Sequence, residues 1–305
     1  MLNKDEIAAL LETSGLGAYR DAVAAFVRPS LQLRLRPAAD DDIAVGASKI
    51  GGDPDLPAGT VWPSYNGCYH SFVAQFDLAE MPPLDPLPRG GMLYVFHAIE
   101  LLYEFEWNES VDHRAAKVVY VPPEDASPLF RTPPPDKESP EIRLAPNAVE
   151  FVPTWCPPAS ESADLESIGL GWSRNRADFD KYWGVFLPSL RERMPEQQQP
   201  YLHRLLGNPD PIQGDMQTSC VLSLRAIEGG SELATGTETT AAESAEARDT
   251  IVAQAVEWRL LFQLDSEEEK TGVMFGDVGR LYLWIREDDL RSLRFDRVVW
   301  HMQCT

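Results

Sequence analysis

"FVAQFDL" at 72–78 followed by "GGMLYVF" at 90–96, and "LLFQLDS" at 260–266 followed by "DVGRLYLW" at 277–284, are two versions of one pattern. In each, Gln stands two residues before Asp, Gly follows sixteen after the Gln, and Leu-Tyr begins two after the Gly. Laid over one another without a gap, 72–97 and 260–285 share six identities: Gln75/Gln263, Asp77/Asp265, Glu80/Glu268, Gly91/Gly279, Leu93/Leu281 and Tyr94/Tyr282. Unrelated segments of this length share roughly one or two, so the match predicts an internal duplication. Upstream, "KIGGDPDLP" parallels "RLLGNPDPIQ", with Gly52 and Pro54 answering Gly207 and Pro209. The period is far too long for a solenoid, and it predicts one two-lobed, pseudo-symmetric domain.

Outward from this pair, short apolar runs bounded by Gly and Pro read as strands. "LQLRLRP" alternates apolar and polar residues and places Gln32, Arg34 and Arg36 on one face. "SFVAQFDL", "MLYVFHA" and "AAKVVYVPP" supply the strands of the first half; "EWRLLFQLD", "RLYLWIR" and "FDRVVWHMQ" supply those of the second. Helices are expected in 4–28 and in "SADLESIG". They are also expected in "DFDKYWGVFLPSLRERM", bent or broken at Pro188, in "EQQQPYLHRLLG" up to Gly207, and in "ARDTIVAQAV" and "REDDLRSLR". Eleven of the chain's 25 prolines fall in 122–158, which predicts an extended connector on the surface. The fold class is therefore α+β, a large and mainly antiparallel sheet built from two β-rich halves. One domain over 1–305 divides into a helical extension (1–30), a first repeat (31–121), a Pro-rich connector with helices (122–202), and a second repeat (203–305). An acidic low-complexity insert at 228–249 interrupts the second repeat.

Composition narrows the function classes. The 48 acidic and 27 basic residues leave a formal net charge of −21, which disfavours nucleic acid and anionic lipid as partners and favours a basic protein or simple solubility. The N-terminus carries no basic flank before an apolar run, and no stretch has the length of a membrane span, so a soluble, cytoplasmic protein is expected. Cys68, Cys156, Cys220 and Cys304 form no C-x-x-C pair and are read as reduced thiols.

The segments "SKIGGDPDLP", "FVAQFDL", "GGMLYVF", "HRLLGNPDPIQGDM", "LLFQLDS", "FGDVGRLYLWI" and the terminal "MQCT" together resemble the YwqG-like proteins, a bacterial family of uncharacterised function. The resemblance covers the segments around 48–96 and 203–305, and it implies an α+β fold with duplicated halves. Some relatives sit in toxin–immunity neighbourhoods, which implies an interaction role, and the family brings no reaction. Where the second motif of the family carries Lys-Ile-Gly-Gly, this chain has Arg204-Leu205-Leu206-Gly207.

Seven residues are candidates for a ligand site: Lys49, Trp62, Gln75, Asp77, Gln263, Asp265 and Asp277. Asp77 and Asp265 are either a carboxylate pair for acid–base work or a cation, or caps of the turns after their strands. Gln75 and Gln263 interrupt apolar strands and need amide partners, across the sheet or on a ligand. The glycines of "KIGGDP" allow a close backbone approach beside Lys49, or simply a tight turn that Trp62 pins to the core. Asp277 lies in a turn that enters a strand. "CYH" and "HMQC" lack zinc-site spacing, and no nucleophile frame is present, so no metal, cofactor or catalytic residue is assigned. The expected function is a cytoplasmic binding protein, immunity-like toward a basic toxin partner. The alternative is an enzyme or small-ligand binder working in a cleft between the repeats, where the paired Gln and Asp residues would converge.

Overall fold

Alternating residues from Arg28 to Pro37 form β1, and its inward leucines Leu31, Leu33 and Leu35 are buried. The computed structural model describes residues 3–104, 113–125, 128–135, 142–194, 199–229 and 245–305. The first half continues with β2 (Lys49–Ile50), β3 (Asp55–Pro57), β4 (Ser64–Tyr65), β5 (Cys68–Tyr69), β6 (Ser71–Asp77), β7 (Met92–His97), β8 (Ala116–Val121) and β9 (Leu129–Arg131). Then come β10 (Asn147–Cys156), β11 (His203–Leu205), β12 (Trp258–Asp265), β13 (Arg280–Arg286) and β14 (Val299–Gln303). Ten of these strands make one sheet in the order β14-β13-β12-β11-β1-β10-β2-β6-β7-β8, antiparallel at every pairing, and the helices pack around it. This is an α+β fold with a large antiparallel sheet.

The sheet curls until its two ends meet. Trp300 of β14 stands edge-on to His97 of β7 with ring centres 4.6 Å apart, and Tyr120 of β8 meets Phe295 at 5.9 Å. Inside the curl lies one apolar core to which both halves contribute, with Phe76 of β6 against Phe262 of β12 at 5.8 Å. Burying each such side chain contributes about 1.5–3 kcal/mol. In β6–β7 Gln75 pairs with Tyr94, and in β12–β13 Gln263 pairs with Tyr282. Each hairpin also has an irregularity at the matching place, between Phe72 and Ala74 and between Leu260 and Phe262. The extra residue sends Phe72 and Leu260 to outer clusters while Phe76 and Phe262 stay inside.

Three expectations are corrected. The Pro-rich stretch is no mere surface connector: β10 runs beside β1 for ten paired residues in the middle of the sheet. Beyond Ala148 its other edge makes no pairing with β2, so Pro153, which has no N–H to give, is tolerated there. "HRLLG" is not helical, because His203–Leu205 is held between β1 and β12. The break in the central helix falls at Tyr182–Phe186, a π-turn between helices Arg176–Lys181 and Leu187–Arg193. A proline ring collides with the carbonyl four residues before it, which for Pro188 is Gly184, and the wider turn relieves that clash. In that turn Tyr182 and Phe186 are buried but Trp183 is 63% exposed. A helix at Gln217–Gly229 went unread in the sequence. Much of the acidic insert (230–244) lies outside the described residues. The N-terminal helix Lys4–Thr13 starts where expected, with a capping box between Asn3 and Glu6. Among the described residues no helix is long and apolar enough to cross a membrane.

Candidate functional site

Gln75 is fully buried, and its partners flank β2, Ala47 just before it and Asp55 at the start of β3. Its Oε1 accepts from the Asp55 N–H at 2.7 Å, and its Nε2 donates to Ala47 O at 2.8 Å and to Asp55 Oδ2 at 2.7 Å. Tyr94 donates its hydroxyl to Asp55 O at 2.6 Å. The Asp55 carboxylate also takes Arg131 Nε at 2.8 Å and Gly46 N at 3.0 Å. Burial pushes its pKa up, but Arg131 and the Gly46 and Gln75 donors outweigh that and hold it below the usual range. Lys49, also fully buried, donates to Asp40 Oδ1 at 2.7 Å and to Asp53 O.

The second half makes a corresponding set of contacts. Gln263 Oε1 accepts from Asp210 N at 3.0 Å, its Nε2 donates to Leu202 O at 2.5 Å, and Tyr282 donates to Asp210 O at 2.9 Å. Arg204 stands where Lys49 stands, opposite the Gln across the sheet, and donates to Asn208 O at 2.8 Å as Lys49 does to Asp53 O. Ser48 Oγ receives the Asp77 N–H, and His203 Nδ1 receives that of Asp265. The turn also keeps its handedness, with Gly51 and Gly52 at φ +68° and +73° and Leu206 and Gly207 at +51° and +82°. A Cβ on Gly51 would lie 2.3 Å from Ala145 O, so the first half needs glycine there. The second half carries Leu206 at the corresponding place, at a cost of about 1–2 kcal/mol, and buries its side chain in the shared core.

The two networks share no residue; the halves meet on the opposite strand face, through Phe76 and Phe262. Asp77 accepts the Ala79 N–H at 2.9 Å, a turn cap. Asp265 is a buried brace, accepting from Leu202 N (2.9 Å), Ser266 N (2.9 Å) and Arg280 Nε (2.7 Å). Asp277 is exposed, and its carbonyl, rather than its carboxylate, anchors Thr305 N at 3.0 Å. Trp62 donates to His70 O at 2.9 Å and stacks edge-on against Phe96, pinning its loop to the outer cluster of the first half. Three cavities of about 170, 260 and 260 Å³ open on the surface, and none of the seven candidates lines them.

Sequence reasoning passed over Asp55 and Asp210, which receive the Gln and Tyr contacts; the shared Gly-x-Pro-Asp at 52–55 and 207–210 was the available signal. It also passed over His70 and His97. Both are buried, and neither ring has a hydrogen-bond partner of normal geometry. Burial pushes His70 down to about 4 and His97, which also feels His70, to about 3; the backbone at Arg114 and Ala98 offsets this only in part. All four cysteines are free, and among the described residues no group of three or more His, Cys, Asp or Glu is placed to hold a metal ion.

Residues 48–304 match the family described as a domain of unknown function (DUF1963), and the chain belongs to that family. No curated protein matches it.

Proposed function

We propose that this member of the DUF1963 family, of YwqG-like type, is a cytoplasmic binding protein that occludes a basic protein partner in the manner of an immunity protein. The formal net charge of −21 carries the reading, because it attracts a basic surface over long range and repels polyanions. The saturated networks support it as well: Lys49, Gln75, Gln263 and Asp265 spend their polar atoms on backbone turns and neighbouring side chains, which leaves a substrate little to bind. An anchor is available at the π-turn, where Trp183 borders the cavity of about 170 Å³ walled by Pro157, Pro188, Pro209 and Pro211. An exposed indole takes a partner's Lys or Arg on its face, as Trp172 takes Arg176 within the chain at 3.2 Å. The corresponding contacts of the two halves further support descent from a duplicated unit.

Isothermal titration of the full chain against basic proteins encoded beside it tests the reading. The expected result is binding at low salt that weakens by at least about tenfold as salt rises through the range where charges are screened, with a comparable loss in Trp183→Ala. No binding at low salt to any of them overturns it.

A further inference from the structure

The two halves treat their buried cation differently. In the first half Lys49 meets a carboxylate, with Asp40 Oδ1 2.7 Å from its Nζ. In the second half Arg204, only 6% exposed, holds the corresponding place opposite Gln263. It donates through Nη1 to Asn208 O and to Cys156 Sγ, both at 2.8 Å, and among the described residues it has no carboxylate partner. A thiol sulfur is a weak acceptor, so the guanidinium lacks the counter-charge that Lys49 enjoys. Buried charges are normally paired, because an uncompensated one is strongly destabilising.

Arg204 lines the cavity of about 170 Å³ beside Trp183. Its Nε and Nη2 have no acceptor among the described residues, and neither atom is sealed from solvent. β11 is held between β1 and β12, so the side chain stands on a rigid support. Exposed Arg191 brings a second guanidinium to the same cavity, 3.5 Å from Asp210 Oδ1. Asp210 is the one carboxylate in the lining, and Arg280 already neutralises it through Oδ2. The lining therefore carries surplus positive charge in a chain whose net charge is −21. Trp183, Leu187 and Pro188 give it an apolar wall.

We infer that this cavity binds a small aromatic carboxylate, whose acid group gives Arg204 the counter-charge that Asp40 gives Lys49. Nε and Nη2 form the side edge of the planar guanidinium, which takes a carboxylate through two parallel N–H bonds. The ring of the ligand lies against Trp183 and Leu187, and Arg191 faces the acid from the rim. A cavity of about 150 Å³ accepts a benzene ring, so the volume suits one ring with its acid rather than a nucleotide. The site needs no protein partner, so it is tested on the chain alone.

Benzoate, benzamide and acetate are compared by calorimetric titration and ligand-observed NMR on the full chain. Benzamide keeps the ring without the charge, and acetate keeps the acid without the ring. Benzoate is expected to bind, with each of the other two weaker by about tenfold or more. Arg204→Lys installs the cation of the first half, which keeps the charge but loses the two-bond edge, and is expected to weaken benzoate by at least about tenfold. Trp183→Ala, a surface change that spares the fold, covers the case in which the first variant folds poorly; it removes the apolar wall and is expected to weaken benzoate by about fivefold or more. Absence of benzoate binding at about 10 mM, a range in which even weak metabolite sites fill, overturns the proposal. So do benzamide or acetate binding as tightly as benzoate, and benzoate affinity unchanged in both variants.

Discussion

Lowering the pH from 7 to 5 is expected to remove roughly 6 kcal/mol of folding stability through three histidines. His70 and His97 are buried with no ring hydrogen-bond partner of normal geometry, and burial holds their pKa values at about 4 and about 3, and that of the part-buried His301 at about 4. In the unfolded chain an imidazole titrates near 6.5, so below that pH the unfolded state binds protons that the folded state refuses. The histidine contribution to stability is therefore whole above the unfolded value and is lost as the pH falls toward the folded ones. At pH 5 each group costs about 2 kcal/mol, a large share of a typical total of roughly 5–15. Asp164 and Asp215, raised chiefly by burial, act with the opposite sign and blunt the loss. Asp55 and Glu267 are held below the usual carboxylate range, so their contribution is lost only at more acid pH. Urea unfolding followed by tryptophan fluorescence at pH 7, 6 and 5 measures the slope. His97→Leu should cut the loss between pH 7 and 5 by about a third, since one of the three depressed histidines is gone. Stability that stays flat between pH 7 and 5, or a slope unchanged in His97→Leu, would refute the reasoning.

Three further outcomes follow from the turn networks. Gly51→Ala puts a Cβ 2.3 Å from Ala145 O at a positive φ, and is expected to cost about 3 kcal/mol or more by urea melts. Lys49→Met leaves Asp40 and the Asp53 carbonyl without their buried ammonium; a loss of about 3 kcal/mol is expected, toward the low end for a broken buried pair because Asp40 keeps some solvent contact. Arg280→Met removes a donor from both Asp265 and Asp210, and should lower the melting temperature more than the substitution of exposed Arg36, whose surface pair with Glu150 is worth at most about 1 kcal/mol.

Some of this structure could be read in the residues and some could not. The hairpins β6–β7 and β12–β13 were plain, because short apolar runs between Gly and Pro have few other foldings. β10 was hidden: its alternation, "NAVEFVPTWC", sits among prolines whose count argues against a sheet, and only the vacant edge beyond Ala148 makes Pro153 acceptable. β11 has leucine spacing that suits a helix as well as a strand, and the pairing of His203–Leu205 with β1 and β12 decides between them. For the candidate residues, the need of Gln75 and Gln263 for partners followed from polar amides in apolar strands. Their actual partners did not, since the guanidinium that steadies Asp55 comes from Arg131, 76 residues away in a Pro-rich segment with no local pattern to announce it. Likewise the alternation of β1 put Gln32, Arg34 and Arg36 on one face, but only the course of 199–203 and 265–271 over that face makes a cavity.

The central claim is that the repeated glutamines lock turns to strands and are not the centre of a ligand site. Equilibrium unfolding of Gln75→Met and Gln263→Met at neutral pH tests it most directly. Gln75 makes three hydrogen bonds and Gln263 two; losing them and stranding their buried partners predicts a cost of roughly 3–4 kcal/mol for the first and about 2–3 for the second. A residue held in place for binding at the expense of stability behaves otherwise, and its replacement by an apolar side chain usually leaves the fold as stable or more so. Unfolding midpoints at or above that of the wild type in both variants would contradict the account.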